Sequence, residues 1–133
     1  MDLARLIKWR PALVISMTPL AELVQDLPCD LAAAGVAWLH LPVADFGVPE
    51  AATGLLWPKA QSAALDHLRA GNRVLVHCHG GCGRSGMACL RLMIAAGERA
   101  DTALARLRAV RSCAVETRAQ MAWALAVNNG GVG

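Results

Sequence analysis

The sequence lacks the features of a membrane protein and of a nucleic-acid-binding protein. No stretch approaches the roughly 18 consecutive apolar residues of a membrane span. The 13 lysines and arginines are spread along the chain without a basic block, and the net charge is only +3. Residues 1–8 alternate charged and apolar types, which is not the pattern of a secretory signal. We therefore expect a cytoplasmic protein that binds neither a membrane nor nucleic acid.

Internal repeats, low-complexity blocks and interdomain linkers are also missing. The 133 residues are 56% hydrophobic, so the chain can bury a sizeable core, and we expect a single domain over residues 1–133. The five cysteines show no spacing typical of a disulfide framework, and we expect them to be reduced thiols. We expect the protein to be a monomer.

Apolar runs alternate with amphipathic segments along the chain. The predicted strands are 12–16, 36–41 and 73–77, and the predicted helices are 2–8, 18–27, 30–34, 55–70, 87–96, 101–111 and 117–127. Pro28 is expected to end the second helix, Asp30 to cap the third, and Pro58 to lie in the first turn of the fourth. Strands separated by helices imply an α/β fold, with a small, mostly parallel sheet of about four strands and helices on both faces.

A glycine-rich segment follows the last predicted strand and precedes an apolar helix. Its sequence is His77-Cys78-His79-Gly80-Gly81-Cys82-Gly83-Arg84-Ser85-Gly86, of which we call residues 78–84 the phosphate loop. Inward-facing N–H groups and a helix start form an anion site, which the guanidinium of Arg84 would close. These donors would favour the thiolate form of Cys78, a nucleophile facing the bound anion. The segment predicts phosphoryl transfer through a phosphocysteine; the alternative is a buried cysteine acting as an apolar group.

The motif His-Cys-x5-Arg-Ser resembles the active-site loop of cysteine-dependent protein tyrosine phosphatases. Within that superfamily the chain is similar to the small dual-specificity branch, especially the cyclin-dependent kinase inhibitor 3-type phosphatases and their prokaryotic relatives. The segment 41–49, which we call the acid loop, is similar to the family's loop of that name, and 114–117 with Gln120 is similar to its C-terminal segment. The resemblance implies a phosphatase-like fold and a protein-tyrosine or dual-specificity phosphatase without a cofactor.

Asp45 lies in the segment that is similar to the acid loop. It follows a predicted strand, so it should lie at the same sheet edge as Cys78. The resemblance implies that Asp45 protonates the leaving group and later accepts a proton from the attacking water. The alternative is a loop aspartate that makes an Asx turn before Gly47. Asp26 and Asp30 are competing acids in an earlier helical region.

Other residues of the motif are expected to bind substrate or support the loop. The expected substrate-binding positions are His79, Gly80, Gly81, Cys82, Gly83 and Arg84. Ser85 would donate a hydrogen bond to the departing sulfur of Cys78, or it would be the N-cap of a helix beginning at Gly86. His77 would hydrogen-bond the loop backbone, or it would be a strand-end histidine with an ordinary partner.

The C-terminal segment is expected to support the loop. Gln120 lies three residues after Thr117, which is the spacing of a capping box, and the resemblance adds a role in orienting the hydrolytic water. Glu116 is expected to anchor Arg84 or the loop. One departure from the family pattern is the pair 112–113, Ser-Cys, where the family often has Pro-Gly, so this turn should differ.

The loop's cysteines and histidines raise the alternative of a metal site. Cys78, Cys82, His77 and His79 are potential ligands, but loop amides that point at an anion disfavour a cation, and we expect no metal. Oxidation of Cys78 with a partner thiol is the more plausible chemistry. The candidate partner thiols are Cys29, Cys82 and Cys113.

The loop contains no lysine. By resemblance, this favours a phosphorylated protein or a small phosphomonoester over an inositol polyphosphate. The short chain predicts a shallow site that accepts phosphotyrosine and also phosphoserine or phosphothreonine. Three other functions stay open on the sequence alone: a rhodanese-type sulfurtransferase, a non-catalytic phosphate-binding module and an arsenate reductase.

Overall fold

The computed structural model of the protein describes residues 3–23, 26–79 and 82–127. Within these residues the chain forms three strands, six α-helices and one short 3₁₀ turn. In chain order they are α1 (Leu3–Trp9), β1 (Leu13–Ser16), the 3₁₀ turn (Leu20–Glu22), α2 (Leu27–Ala33), β2 (Ala37–His40), α3 (Ala51–Arg69), β3 (Val74–His77), α4 (Gly83–Ala95), α5 (Ala100–Val110) and α6 (Arg118–Leu125). None of the described helices is both long and apolar enough to cross a membrane.

The three strands form one parallel sheet in the order β2-β1-β3. Leu13–Ser16 pairs in register with Ala37–His40 on one side and with Val74–His77 on the other. The predicted α/β class with a parallel sheet is confirmed. The predicted strand count of about four is wrong, because the described residues before β1 form helix α1 and the rest supply only three strands.

Helices cover both faces of the sheet, as predicted. Leu13 and Ile15 of β1 pack on one face, in a core cluster with residues of α3, α4, α5 and α6. Val14 points to the other face and packs with Leu27 and Leu31 of α2. All four residues of β1 are buried, which suits the central strand of a sheet covered on both sides.

The segment between β1 and β2 differs from the prediction. A continuous helix over 18–27 is wrong: the described residues of this segment form the 3₁₀ turn Leu20–Glu22, and α2 begins at Leu27. Pro28 lies in the first turn of α2, where its missing N–H leaves no hydrogen bond unmade. It therefore helps to begin this helix and does not end the one before it. Asp30 lies inside α2 and is not its cap.

Two later helices begin earlier than predicted. Helix α3 begins at Ala51, so Pro58 lies in its interior and not in its first turn. Helix α4 begins at Gly83, within the phosphate loop. Glycine is a weak helix former by local propensity, but here a carboxylate from a distant segment, Glu116, accepts the Gly83 N–H at 2.9 Å. Tertiary contacts therefore set this boundary.

The start of α4 lies directly against the chain that joins α5 to α6. A Cβ atom on Gly86 would lie 2.7 Å from the backbone nitrogen of Val115 and 2.8 Å from the Cα of Ala114. Glycine is needed here because two backbone segments approach more closely than a side chain allows.

We expect the variant Gly86→Ala to lose about 1–3 kcal/mol of unfolding free energy, because the backbone at residues 114–115 must move to admit the methyl group. Urea denaturation measures this loss. Gly54→Ala on α3 is the matched control: a Cβ there meets nothing within 4 Å, and alanine should leave stability unchanged or raise it by about 0.5–1 kcal/mol. Equal stabilities for the two variants would contradict the close approach.

Candidate active site

Strand β3 carries the chain directly into the phosphate loop. β3 ends at His77, and Cys82 occupies the N-cap position of α4. Gly80 and Gly81, two of the predicted substrate-binding residues, lie outside the described residues. The loop connects the C-terminal end of a parallel strand to a helix N-terminus, the arrangement that the sequence predicted for an anion site.

Ser85 holds the sulfur of Cys78. The Ser85 backbone N–H donates to Cys78 Sγ over 3.4 Å, and the Ser85 hydroxyl oxygen lies 3.3 Å from the same sulfur. The expected contact between these two side chains is therefore present. The alternative, that Ser85 is an N-cap, is wrong because α4 begins at Gly83 and Ser85 lies within its first turn.

Arg84 is almost fully buried, with 2% of the residue exposed. Its Nη1 donates to the Val43 carbonyl at 2.9 Å, and Nη1 and Nη2 donate to the Glu22 carboxylate at 3.4 and 3.2 Å. A buried guanidinium needs such partners because an unpaired charge is costly away from water. Sequence reasoning missed Glu22; the available signal was an acidic residue shortly after β1, at the same sheet edge as the loop.

Asp45 lies beside Arg84 on an exposed turn. Its Oδ1 is 3.7 Å from Arg84 Nη2, and its side chain is 60% exposed. The same oxygen accepts the N–H of Phe46 at 3.0 Å, one residue on, whereas an Asx turn would reach two residues on. Phe46 has a φ of +60°, which L-residues rarely adopt, and the Gly47 N–H donates to the Ala44 carbonyl at 2.8 Å. The structure thus brings Asp45 and Arg84 together.

The competing acids lie elsewhere in the fold. Asp26 occupies the N-cap position of α2, and Asp30 lies inside that helix. Helix α2 packs on the sheet face opposite α3 and α4. Among the described residues, the ion-pair partners of Arg84 are Glu22 and Asp45, and neither Asp26 nor Asp30 pairs with it.

Gln120 joins the acid loop to the start of α6. It is fully buried, and it forms the predicted capping box with Thr117, which is confirmed. Its Oε1 also accepts the N–H of Glu116 at 2.9 Å, and its Nε2 donates to the Gly47 carbonyl at 3.0 Å. These contacts position two loops. A role in orienting water stays a prediction.

Glu116 anchors the phosphate loop. Of the two alternatives for this residue, the structure shows the contact with the loop, through the Gly83 N–H, while Glu22 is the carboxylate paired with Arg84. A side chain on Gly83 would collide with the carboxylate of Glu116 and the amide of Gln120. The glycine therefore lets the carboxylate reach the loop backbone.

His77 hydrogen-bonds a neighbouring strand. Its Nε2 lies 2.5 Å from the hydroxyl of Ser16, which accepts the indole N–H of Trp38 at 2.8 Å. Burial lowers the pKa of His77, and nearby positive charge, including His40, lowers it further. The strand-end alternative is thus the one observed. His79 is exposed, and its contact with substrate stays a prediction.

Two of the five cysteines form a disulfide, between Cys82 and Cys113. The expectation that all the thiols are reduced is therefore wrong, and neither residue is free to be the partner thiol of Cys78. The phosphate loop and the chain after α5 are 31 residues apart in sequence, a proximity that only the fold creates. The free cysteines are Cys29, Cys78 and Cys89, and burial raises the pKa of Cys89 to about 11.

We expect Glu22→Gln to lower the unfolding free energy by about 1–2 kcal/mol, because it leaves the buried Arg84 guanidinium without its nearest carboxylate. The estimate is modest since Glu22 is 34% exposed and water can partly replace it. Urea denaturation tests this. Asp66→Asn, an exposed carboxylate on α3, is the control and should stay within about 0.5 kcal/mol of the parent. A Glu22→Gln variant as stable as the parent would show that the ion pair contributes nothing.

His77 should make stability fall in acid. The pKa of His77 in the folded state is lowered from 6.5. As the pH falls through about 6.5, the imidazole therefore binds a proton more readily in the unfolded chain than in the folded one, which favours unfolding. The unfolding free energy should therefore decrease between pH 7.5 and pH 5.5, and His77→Gln, which does not titrate, should decrease less. Urea midpoints at three pH values in this range measure the difference. Parallel pH profiles for the two proteins would contradict it.

Comparison with known proteins agrees with this geometry. Over residues 12–98 the chain matches the protein family described as "Tc-R-P: Polymorphic toxin system, DSP-PTPase phosphatase". The match covers well over half of the chain and includes all three strands, the acid loop and the phosphate loop.

A named relative points to the same family. Protein tyrosine phosphatase domain-containing protein 1 of Bos taurus is 34% identical over 97 residues, which cover 71% of this chain and 12% of that protein. The chain thus spans only about an eighth of that relative's length.

Solved structures share the fold. Tk-PTP in its active form is 31% identical, with a TM-score of 0.78 over 92% of this chain and 80% of that one. Kinase associated phosphatase (KAP) is 24% identical, with a TM-score of 0.79 over 93% and 72%. Human DUSP28 is 22% identical, with a TM-score of 0.71 over 92% and 78%. The last two show likeness of fold alone. The chain belongs to the cysteine-dependent protein tyrosine phosphatase superfamily, in its small dual-specificity branch.

Proposed function

We propose that this domain hydrolyses phosphomonoesters as a protein-tyrosine or dual-specificity phosphatase, through a phosphocysteine intermediate. The observation that carries the proposal is the meeting of three segments at one edge of the sheet. Cys78 follows β3, Arg84 lies in the first turn of α4, and Asp45 lies 3.7 Å from the Arg84 guanidinium in the loop after β2. These groups are a nucleophile, an anion-binding cation and a proton donor.

The phosphoryl group would bind between the loop amides and Arg84. Glu22 and Val43 occupy part of the guanidinium's donors, and a guanidinium has five, so donors remain for phosphoryl oxygens. The N-terminus of α4 adds partial positive charge on the same side. Because Arg84 is held rigidly, the site would be ready for the charge that develops in the transition state.

In the first half-reaction the Cys78 sulfur attacks phosphorus, and the bond from phosphorus to the leaving oxygen breaks. Asp45 gives its proton to that oxygen, which leaves as an alcohol or a phenol. In the second half-reaction water attacks the phosphocysteine, Asp45 accepts a proton from it, and the sulfur departs. Ser85, whose hydroxyl lies 3.3 Å from Sγ, would donate a hydrogen bond to the departing sulfur.

The substrate class is a phosphorylated protein or a small phosphomonoester. The phosphate loop contains no lysine that would bind the additional phosphates of a multiply phosphorylated headgroup. Phe46, which is 59% exposed, lies next to Asp45 and offers an apolar surface beside the proton donor. This surface favours an aryl ester such as phosphotyrosine, with phosphoserine and phosphothreonine as poorer substrates.

The competing functions make different demands on these residues. A rhodanese-type sulfurtransferase would not need Asp45, and a phosphate-binding module would not need the Cys78 sulfur. An arsenate reductase requires a thiol relay, but Cys82 and Cys113 are paired with each other. Of the other free cysteines, Cys29 lies in α2 on the opposite face of the sheet, and burial raises the pKa of Cys89 to about 11, which disfavours its thiolate. The contact of Asp45 with Arg84 favours the phosphatase.

Hydrolysis of para-nitrophenyl phosphate tests the proposal. We expect Cys78→Ser to abolish turnover and Asp45→Asn to lower kcat by roughly 10²–10⁴-fold. Vanadate should inhibit, and EDTA should have no effect. Cys29→Ser, which removes an exposed free cysteine, is the matched control and should retain full activity. Full activity of Asp45→Asn would refute the general acid, and activity of Cys78→Ser would refute the intermediate.

A further inference from the structure

The disulfide joins the start of α4 to the chain that connects α5 with α6. Cys82 is the N-cap residue of α4, and Cys113 lies in residues 111–117, which we call the α5–α6 connection. The first turn of α4, directly after Cys82, carries Arg84 and Ser85. The cross-link is therefore attached next to the residues that would hold the phosphoryl group and the sulfur of Cys78.

The α5–α6 connection supports the start of α4 at further points. Glu116 accepts the N–H of Gly83, and the backbone at residues 114–115 lies against Gly86. With the disulfide, three successive contacts along the connection meet residues 82–86. A movement of the connection would therefore move the first turn of α4.

The connection itself has a strained backbone. Val115 is a β-branched residue with a φ of +65°, a conformation that costs energy unless its surroundings enforce it. Arg108 holds the segment from α5, donating to the carbonyls of Ala114 and Val115 at 3.0 Å each. The disulfide is the covalent restraint on the same segment, and its loss would let the strained turn relax.

We propose that the Cys82–Cys113 disulfide positions the first turn of α4 for oxyanion binding while Cys78 remains a free thiol. The inference rests on the proposed function. The protein would thus combine an oxidised structural pair with a reduced nucleophile four residues away. Because Cys82 is already paired with Cys113, it cannot capture an oxidised Cys78.

The disulfide forms by exchange with a small disulfide such as oxidised glutathione. One of the two thiolates attacks a glutathione sulfur and releases one glutathione thiolate; the other cysteine then attacks this mixed disulfide and releases the second. The two cysteines lose two electrons and two protons in total, and one oxidised glutathione becomes two reduced molecules. Dithiothreitol reverses the exchange and becomes a cyclic disulfide.

The experiment compares the parent, the double variant Cys82→Ser/Cys113→Ser and the control Cys29→Ser, each treated with oxidised glutathione and then freed of it. A second sample of each is reduced with dithiothreitol and desalted immediately before assay. Peptide mass spectrometry counts the free thiols and distinguishes the Cys82–Cys113 cross-link from cysteines that carry glutathione. Rates are normalised to the fraction of Cys78 that iodoacetate labels. Tungstate inhibition and kcat/KM for para-nitrophenyl phosphate are then measured at a temperature where circular dichroism shows every sample folded.

The oxidised parent should contain the Cys82–Cys113 cross-link and bind tungstate about 10-fold more tightly than the reduced parent, with kcat/KM raised by a similar factor. The double variant should resemble the reduced parent, and reduction should leave it unchanged. Cys29→Ser should respond like the parent. If the double variant does not fold, the comparison of oxidised with reduced parent tests the proposal without it.

Two results would overturn the inference. One is the absence of the Cys82–Cys113 cross-link in the parent after treatment with oxidised glutathione. The other is tungstate affinity that agrees within twofold between oxidised and reduced parent. Failure of the proposed function looks different: the oxidised parent would then hydrolyse no phosphomonoester, whatever its thiol count.

Discussion

The candidate site depends on one buried guanidinium. Arg84 is 2% exposed, and its charge is balanced by Glu22 after β1, by the Val43 carbonyl after β2 and by Asp45 in the same loop. A buried cation requires such partners, so the loops after β1 and β2 must approach the first turn of α4, which carries Arg84. The same requirement places the proposed proton donor next to the proposed anion site.

The parallel sheet brings the three loops to one place. All three strands run in one direction, so their C-terminal ends, and the loops that follow them, lie along a single edge. Helices on both faces bury the strands and leave this edge free for chemistry. Three short strands are sufficient, because the site needs only the loop that follows each one.

A second set of contacts holds the phosphate loop and the acid loop in place from the C-terminal part of the chain. Gln120, Glu116 and the Cys82–Cys113 disulfide connect the C-terminal part of the chain to the phosphate loop and the acid loop. The segment after α5 is therefore part of the site's architecture. The glycines at positions 83 and 86 are what allow it to approach so closely.

The sequence predicted the α/β class, the strand–loop–helix around Cys78, the capping box of Gln120 and the position of Asp45 at the same sheet edge as Cys78, because each is a local pattern or follows from the edge rule for parallel sheets. Contacts between distant segments set the start of α4 at Gly83, the pairing of Arg84 with Glu22 and the disulfide. The disulfide joins residues 31 positions apart in the chain, and the Arg84–Glu22 pair joins residues 62 positions apart. The start of α4 depends on the contact of Gly83 with the distant Glu116. No local periodicity encodes them, since burial and packing alone bring those side chains together.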